Sequence, residues 1–245
     1  MSTAVQKAVT ELRAMIINGE FSVTERITES RVASLLGMSR TPARMALSQL
    51  ETEGLLLKLE GRGYKIRPFS FRDLERAAEV RAAIEGVAVA RLARLGFSDE
   101  TAAAIERSIA MTEGIIGRDR LTRRETTVYQ EANDLFHSTI AEACGNDFVS
   151  LSLEKISSIP IVAPGAFAEV EGMAQAELMR MTVGHTQHVI IWDAICARDP
   201  IRAENMMREH AGAPVRYAKL FIGSSYVDKL LDSGAITRDD ELLSK

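Results

Sequence analysis

Residues 35–47 read LLGMSRTPARMAL, and they carry the strongest local structural signal in the chain. Gly37 is placed to end one short helix and Ser39 to cap the next, because glycine favours the position after a helix and serine the position before one. Pro42 falls in the first turn of the second helix, where proline is tolerated. The segment therefore predicts two helices joined by a tight turn.

The flanking residues extend this helix pair into a larger domain. Apolar residues recur every three or four positions over 5–17, which predicts an amphipathic helix. Beyond the helix pair, apolar segments 55–59 and 64–68 enclose Glu60-Gly61-Arg62-Gly63, a pattern typical of a two-stranded hairpin. Residues 1–68 are therefore predicted to form a winged helix-turn-helix DNA-binding domain.

After Pro68 the pattern becomes helical, with almost no strand signal. Ser70 and Ser98 are placed to cap two helices. Further helical patterns cover residues 121–143, 147–158, 168–197 and 200–220. The predicted fold is mainly α, with an N-terminal winged helix-turn-helix and a C-terminal all-α bundle of six or seven helices. The bundle is assigned to residues 69–222, and residues 223–245 are a tail without an assigned role.

Composition excludes several protein classes. The chain has 245 residues, of which 46% are hydrophobic and 26% charged, as in soluble globular proteins and unlike disordered ones. No run approaches the ~18 apolar residues of a membrane span, and the N-terminus lacks the apolar region of a signal peptide. Two cysteines, Cys144 and Cys196, are too few for a disulfide framework, which favours a reducing cytoplasm.

The charge of the chain is unevenly distributed. The net charge of −4 by itself argues against nucleic-acid binding, because an acidic chain repels phosphate. Residues 1–68, however, hold ten Lys/Arg against seven Asp/Glu, a net charge of +3, and the remainder carries −7. A basic head on an acidic body is typical of a DNA-binding module joined to a different domain.

The second helix of a helix-turn-helix enters the major groove with its N-terminal residues against the bases. Arg40 and Arg44 share one face of that helix, and arginine both reads guanine and binds phosphate. Ser39 and Thr41 are placed to contact phosphate at the helix start, and Arg62 at the hairpin tip to reach the adjacent backbone. The alternative interpretation of the pattern is an ordinary helical hairpin with solvated arginines.

This head resembles the winged helix of the GntR family of bacterial transcription regulators. The shared pattern comprises residues 35–47, the sequence LETEGL at 50–55 and the sequence GRGY at 61–64. The resemblance implies DNA contacts by Arg40 and Arg44, with Gly61 at the tip of the wing. It also implies a basic contact near the start of the preceding helix, for which Arg31 is the candidate.

The chain has four histidines, all in the helical body: His137, His185, His188 and His210. Asn133 and His137 are four residues apart and so lie on one side of their helix. Three helices of a bundle could present Asn133, His137, His188 and His210 to one interior point. Three imidazoles and an oxygen suit Zn, Ni, Fe or Mn and leave positions open for a carboxylate. Scattered histidines that lie on the surface or form core hydrogen bonds are the alternative.

The body resembles the FCD ligand-binding domain of the FadR-like, VanR-type branch of the same family. The resemblance rests on NDLFH at 133–137 with ACGN at 143–146, on the segment 188–210, and on EVRAAIE at 79–85. It implies that the metal ligands are Asn133, His137, His188 and His210. Asparagine then stands where aspartate is common, which weakens the attraction for a dication.

Two further side chains are candidates for contacts with an effector. Arg81 could pair with a carboxylate of the effector or, equally, with Glu85 four residues later. His185 lies one turn before His188 and could face the same cavity.

The sequence thus predicts a sequence-specific transcription regulator, a repressor rather than an enzyme, in the bacterial cytoplasm. A homodimer would place two heads on a pseudo-palindromic DNA operator. A small carboxylate effector would bind at a divalent metal ion, and no membrane partner is expected. Two alternatives stay open: a metal-dependent enzyme that uses the Asn/His3 site, and a regulator with a metal-free pocket for an apolar or acyl ligand.

Overall fold

The computed structural model describes residues 3–17, 20–22, 24–118, 121–156, 174–219 and 236–237. These residues divide into two compact units. The first unit contains the described residues up to 74 together with 236–237, and the second contains 75–156 and 174–219. Within these ranges, no helix is both long and apolar enough to cross a membrane.

The first unit is a winged helix-turn-helix, as predicted. Its elements are α1 (Thr3–Ile17), α2 (Glu29–Leu35), α3 (Arg40–Thr52), β1 (Leu56–Lys58) and β2 (Tyr64–Ile66). The inner face of α3 is buried and packs against α1 and α2, and it consists of Ala43, Ala46, Leu47 and Leu50. The opposite face of α3 is therefore left at the surface.

Thr28 caps the start of α2, and the turn that follows this helix has Gly37 and Ser39 at the predicted positions. The Thr28 hydroxyl accepts a hydrogen bond from the Arg31 backbone N–H at 3.3 Å. Gly37 follows α2 with φ of +62°, a conformation that favours glycine. Ser39 is the N-cap residue of α3 by its extended backbone, although its side chain makes no capping hydrogen bond.

The wing is an antiparallel hairpin in which Leu56 lies opposite Ile66. Ile27, from the segment before α2, bridges to Tyr64, and each backbone N–H donates to the other residue's carbonyl at 2.8 Å. Gly63 has φ of +103°, and a Cβ there would lie 2.9 Å from the Ile27 carbonyl oxygen. The close approach of the Ile27 backbone therefore requires glycine at this position.

A second small sheet of the first unit is not predicted from the sequence. Strand β3 (Phe69–Ser70) pairs in parallel with β4 (Ile236–Thr237). Strands of two residues carry no readable periodicity, so residues 69–70 read as the entry to a helix and 223–245 as a tail. The other residues of that tail lie outside the described part of the chain.

Six helices make up most of the remaining described chain, within the predicted range of six or seven. They are α4 (Phe71–Leu95), α5 (Asp99–Glu113), α6 (Arg123–Ala143), α7 (Asp147–Ile156), α8 (Ala174–Cys196) and α9 (Pro200–Lys219). The predicted helical pattern over 168–197 begins in residues that the structure does not describe.

Local capping explains where several helices begin. Ser98 caps α5 by accepting from the backbone N–H three residues later at 3.2 Å. The Ser70 hydroxyl accepts from the Asp73 N–H at 3.1 Å at the start of α4. Thr122 and Glu125 form a reciprocal capping box, so α6 starts after Thr122 and slightly later than the predicted residue 121.

The core of the second unit is apolar and contains contributions from α4 to α9. Its largest fully buried side chains include Phe136, Leu92, Ile105 and Ile140. Burial of each such side chain contributes about 1.5–3 kcal/mol of stability. Buried polar side chains also occur in this unit, and they include Glu85, Glu177, His188 and His210.

Candidate metal, effector and DNA sites

Three helices of the second unit bring three histidines together. His137 lies on α6, His188 on α8 and His210 on α9. The Nε2 atom of His210 lies 3.2 Å from Nε2 of His137 and 3.0 Å from Nε2 of His188. One potential ligand atom from each histidine lies within 4.8 Å of the others. The structure therefore brings together three of the four side chains predicted as metal ligands.

The histidine cluster is desolvated and held by packing. His188 is only 3% exposed, and the Phe136 ring stacks on it with centroids 4.0 Å apart. Burial lowers the pKa of both His188 and His210, and the nearby imidazoles lower both further, in His210 to about 3. These imidazoles are therefore neutral at physiological pH, the form in which histidine binds metals.

The outer nitrogens of two imidazoles face acceptor oxygens. Nδ1 of His210 lies 3.0 Å from Oε1 of Gln187, and Nδ1 of His137 lies 3.1 Å from Oε1 of Glu85. Both contacts favour the tautomer with the proton on Nδ1, which leaves a lone pair on Nε2. Two lone pairs then point toward each other at 3.2 Å, an arrangement that a bound cation would stabilise.

Glu85 enters this cluster from α4 and is almost fully buried. Its Oε1 accepts a hydrogen bond from Nε of Arg81 at 3.0 Å. Burial alone would raise the pKa of Glu85, but the contacts with His137 and Arg81 hold that pKa well below its usual range. Oε2 of Glu85 and Nδ1 of His137 have no aligned hydrogen-bond partner among the described residues.

The spacing of the imidazole nitrogens suits a divalent transition metal. Metal–nitrogen bonds of about 2.0–2.1 Å place two tetrahedral ligands about 3.3 Å apart and two cis-octahedral ligands about 2.9 Å apart. The two separations from Nε2 of His210, 3.0 and 3.2 Å, fall in this range, and the ligand atoms of His137 and His188 lie within 4.8 Å of each other. Asn133, the fourth predicted ligand, lies one turn before His137 on α6 and is half-buried. The cluster can therefore hold a metal ion.

The two predicted effector contacts have different partners. Arg81 forms the ion pair with Glu85 that is one of its two predicted roles. His185 lies one turn before His188, and its Nδ1 is 2.7 Å from the Thr112 hydroxyl on α5. Burial lowers the pKa of His185, although Glu113 opposes this shift.

A second buried polar cluster lies on the same three helices and is not predicted from the sequence. Glu177 is fully buried, and its carboxylate accepts from Nε of Arg180 at 3.0 Å. The guanidinium carbon of Arg180 lies 5.6 Å from the ring centroid of Tyr217. Burial raises the pKa of Tyr217 and of Tyr129 to about 12. Arg180 also lowers the pKa of His210, so its charge reaches the histidine cluster.

Sequence reasoning missed two polar partners of the histidines, Glu85 and Gln187, and the buried Glu177 of the second cluster. A usable signal exists for Glu85, which interrupts the buried stripe of α4 formed by Ala78, Ala82, Val89 and Leu92. An acid in an apolar stripe indicates a buried ionic or metal-linked role. Gln187 carries no comparable signal, because it lies beside the buried face of α8.

The predicted DNA-contacting residues of the first unit are all exposed. They are Arg31, Ser39, Arg40, Thr41, Arg44, Gly61 and Arg62. Arg40 and Arg44 lie in the first turns of α3, and neither forms an ion pair or side-chain hydrogen bond with any described residue. Arg31 differs, because its guanidinium pairs with Glu25 at 2.5 Å and lies 5.7 Å from the Phe21 ring centroid.

Comparison with protein families matches both units. Residues 4–66 match the family described as bacterial regulatory proteins, gntR family, and residues 76–213 match the FCD domain. The FCD match alone covers more than half of the chain.

Curated relatives of the chain are regulators of transcription. The repressor GlaR of Escherichia coli is 26% identical over 205 residues, or 83% of this chain and 90% of GlaR. A probable D-xylose utilization operon transcriptional repressor of Paenarthrobacter nicotinovorans is 29% identical over 215 residues. The match covers 86% of this chain and 87% of that repressor. The regulator YdhC of Bacillus subtilis is 29% identical over 149 residues, and the match spans 61% of this chain and 64% of YdhC.

Solved structures share the fold. E. coli McbR/YncC superposes with a TM-score of 0.69 at 19% identity, over 90% of this chain and all of that one. A putative transcriptional regulator GntR from Rhodococcus sp. RHA1 superposes with a TM-score of 0.61 at 18% identity. The superposition covers 91% of this chain and 99% of that one. The two family matches and the curated relatives show that the chain belongs to the GntR family of bacterial regulatory proteins, in the branch with an FCD domain, and is a DNA-binding transcription regulator and not an enzyme.

Proposed function

We propose that this regulator is a homodimeric, cytoplasmic repressor that releases its operator when a small carboxylate binds at a metal ion in the second unit. The observation that carries the proposal is the convergence of three buried imidazole Nε2 atoms within the FCD domain. The names of two relatives as repressors support repression. Repression acts on DNA, which supports a cytoplasmic location in a bacterium.

The operator contacts are assigned to the exposed face of α3 and to the wing. Arg40 and Arg44 would contact base edges or phosphates, with Ser39 and Thr41 at phosphates. Arg62 and the backbone at Gly61 would contact the neighbouring backbone or groove. Arg31 would contact phosphate only after leaving Glu25, so we expect its contribution to be smaller. Two heads of a homodimer would read the two halves of a pseudo-palindrome.

The effector site is assigned to the surroundings of the metal. Asn133 and the three clustered histidines would hold the ion, which supplies an electrophilic centre for a carboxylate oxygen. Arg81 pairs with Glu85, which in turn contacts His137 of the cluster. Its positive charge suits the binding of a carboxylate. His185 lies one turn from His188 and would contact the bound molecule. Binding would alter DNA affinity through a coupling of typically ~1–3 kcal/mol.

The DNA assignment is tested by fluorescence anisotropy on the region upstream of the protein's own gene. We expect Arg40→Ala and Arg44→Ala each to weaken binding by about 5- to 150-fold, equivalent to ~1–3 kcal/mol. Arg107→Ala is the control, since Arg107 is exposed on α5 in the second unit. A double variant that binds this DNA as tightly as the wild type at matched salt would refute the assignment.

The metal and effector assignment is tested on protein purified without nickel resin or chelator. We expect close to one metal ion per chain in the wild type, and less than ~0.2 in His137→Ala and His210→Ala. Small carboxylates should raise the melting temperature of the metal-loaded protein and lose this effect in EDTA. His185→Ala should keep the metal and weaken the carboxylate effect. Equal stabilisation with and without EDTA would instead favour a metal-free pocket.

A further inference from the structure

We propose that Glu85 is a positioning residue for His137 and supplies the negative charge that the ligand set itself lacks. This inference rests on the proposed metal site. The four proposed ligands are Asn133, His137, His188 and His210, and all are neutral donors. A dication bound by them alone would keep its full charge in a desolvated core, which is costly.

The position of Glu85 allows it to act through His137. Its Oε1 lies 3.1 Å from Nδ1 of His137, the nitrogen that points away from the other two histidines. The Nε2 atom of the same ring faces Nε2 of His210 at 3.2 Å. A carboxylate that accepts the Nδ1 proton fixes the tautomer, makes Nε2 a stronger donor and places negative charge one imidazole away from the ion.

Two buried polar atoms without hydrogen-bond partners support a role for Glu85 in metal binding. Oε2 of Glu85 and Nδ1 of His137 are both buried and lack an aligned hydrogen-bond partner among the described residues. The other carboxylate oxygen, Oε1, lies 3.1 Å from this Nδ1. Buried polar atoms without partners are costly, so their presence on touching side chains indicates a function for the pair.

Arg81 explains how Glu85 remains charged inside the core. It donates to the same Oε1 that faces His137, which leaves Oε2 available to the imidazole. Arg81 and Arg180 both act electrostatically on His210, so the surroundings of the cluster include two cations. A carboxylate in contact with the cluster offsets this positive field, and a neutral amide at the same place would not.

The test compares metal affinity in four full-length proteins: wild type, Glu85→Gln, Asn133→Asp and the double variant. The readout is competition for Zn²⁺ with a chromophoric chelator, supplemented by the visible absorption of the Co²⁺ forms. We expect Glu85→Gln to weaken Zn²⁺ binding by about 10- to 100-fold. Asn133→Asp should restore most of this loss in the double variant, because it returns an anionic group to the ligand set.

Glu204→Gln is the matched control. Glu204 likewise pairs with an arginine one helical turn away, Arg208, but at the surface of α9. It should leave Zn²⁺ affinity and the Co²⁺ spectrum unchanged. Thermal unfolding in EDTA checks the fold of every variant. If Glu85→Gln does not fold, Glu85→Asp replaces it in the test, because aspartate keeps the carboxylate on a shorter side chain. Glu85→Asp should weaken Zn²⁺ binding less than tenfold.

The outcomes separate the two proposals. Unchanged Zn²⁺ affinity in Glu85→Gln, or in both Glu85 variants, overturns the role of Glu85 while leaving the metal site intact. A loss that Asn133→Asp does not restore also overturns it, because a purely structural role would not respond to charge at residue 133. If the wild type and His137→Ala bind Zn²⁺ equally weakly, the metal site itself is wrong.

Discussion

Gly61 and Gly63 differ in their surroundings, although both have a positive φ near +100° in the wing. A Cβ on Gly61 would meet nothing within 4 Å, whereas one on Gly63 would lie 2.9 Å from the Ile27 carbonyl oxygen. We therefore expect Gly61→Ala to lower the free energy of unfolding by about 1–2 kcal/mol, because alanine is strained at a positive φ. Gly63→Ala should lower it by at least ~1 kcal/mol more, because its Cβ also meets the Ile27 backbone. Urea unfolding followed by circular dichroism measures both. Equal losses would mean that the Ile27 backbone shifts freely.

Single residues of the candidate site are predictable to different extents. The three clustered histidines follow from rare residues at helical spacing together with a family resemblance. Glu85 appears in the same resemblance, yet its contact with His137 joins positions 52 residues apart. Nothing local in the sequence identifies which buried acid meets which imidazole, because that depends on how α4 packs against α6.

The close approach of α6 to α8 depends on one helical glycine. A Cβ on Gly184 would lie 2.4 Å from the Tyr129 hydroxyl oxygen and 3.9 Å from Cε1 of His210. We expect Gly184→Ala to destabilise the second unit by about 1–3 kcal/mol, despite the better helix propensity of alanine. Tyr129→Phe should cost about 1 kcal/mol, because its hydrogen bond to the Met181 carbonyl is lost.

The double variant tests this packing directly. Since phenylalanine lacks the hydroxyl that meets the new methyl group, Gly184→Ala with Tyr129→Phe should cost less than the sum of the single changes, by at least ~1 kcal/mol. Gly212→Ala on α9 is the control, because its Cβ would meet only the flexible end of Arg216. It should be neutral or slightly stabilising. Additive losses in a denaturation series would contradict the contact.

Elements with local signals are predictable, and those without are not. Helix starts follow from side chains such as Ser70 and Ser98, because capping involves only residues within one turn. The wing follows from glycines between two apolar segments. The pairing of β3 with β4 does not follow, because two-residue strands far apart in sequence have neither periodicity nor a connecting turn.

The division of charge over the whole chain makes a prediction about salt. Four basic side chains per protomer are proposed to contact DNA, namely Arg31, Arg40, Arg44 and Arg62. A homodimer would then release counterions from at most about eight phosphates, so log Kd should rise with log salt with a slope of no more than about 7. We expect Arg62→Ala to reduce this slope by about 2, one contact per head. Arg107→Ala should not change it.

Anisotropy titrations between about 50 and 200 mM salt measure the slope. A slope well above 7 would mean that residues beyond the proposed face contact the backbone. An unchanged slope in Arg62→Ala would remove the wing from the interface. The acidic remainder of the chain, with its net charge of −7, makes a large additional set of phosphate contacts unfavourable.

The parallel pairing of Phe69 with Ile236 has a consequence for synthesis of the chain. The two positions are 167 residues apart, so at about 5–20 residues per second a ribosome needs on the order of ten to thirty seconds to proceed from one to the other. Helices α1–α3 and the wing make their mutual contacts within the first 66 residues and can form early. During that interval the DNA-reading elements coexist with an open strand edge, which is a site for mispairing between nascent chains.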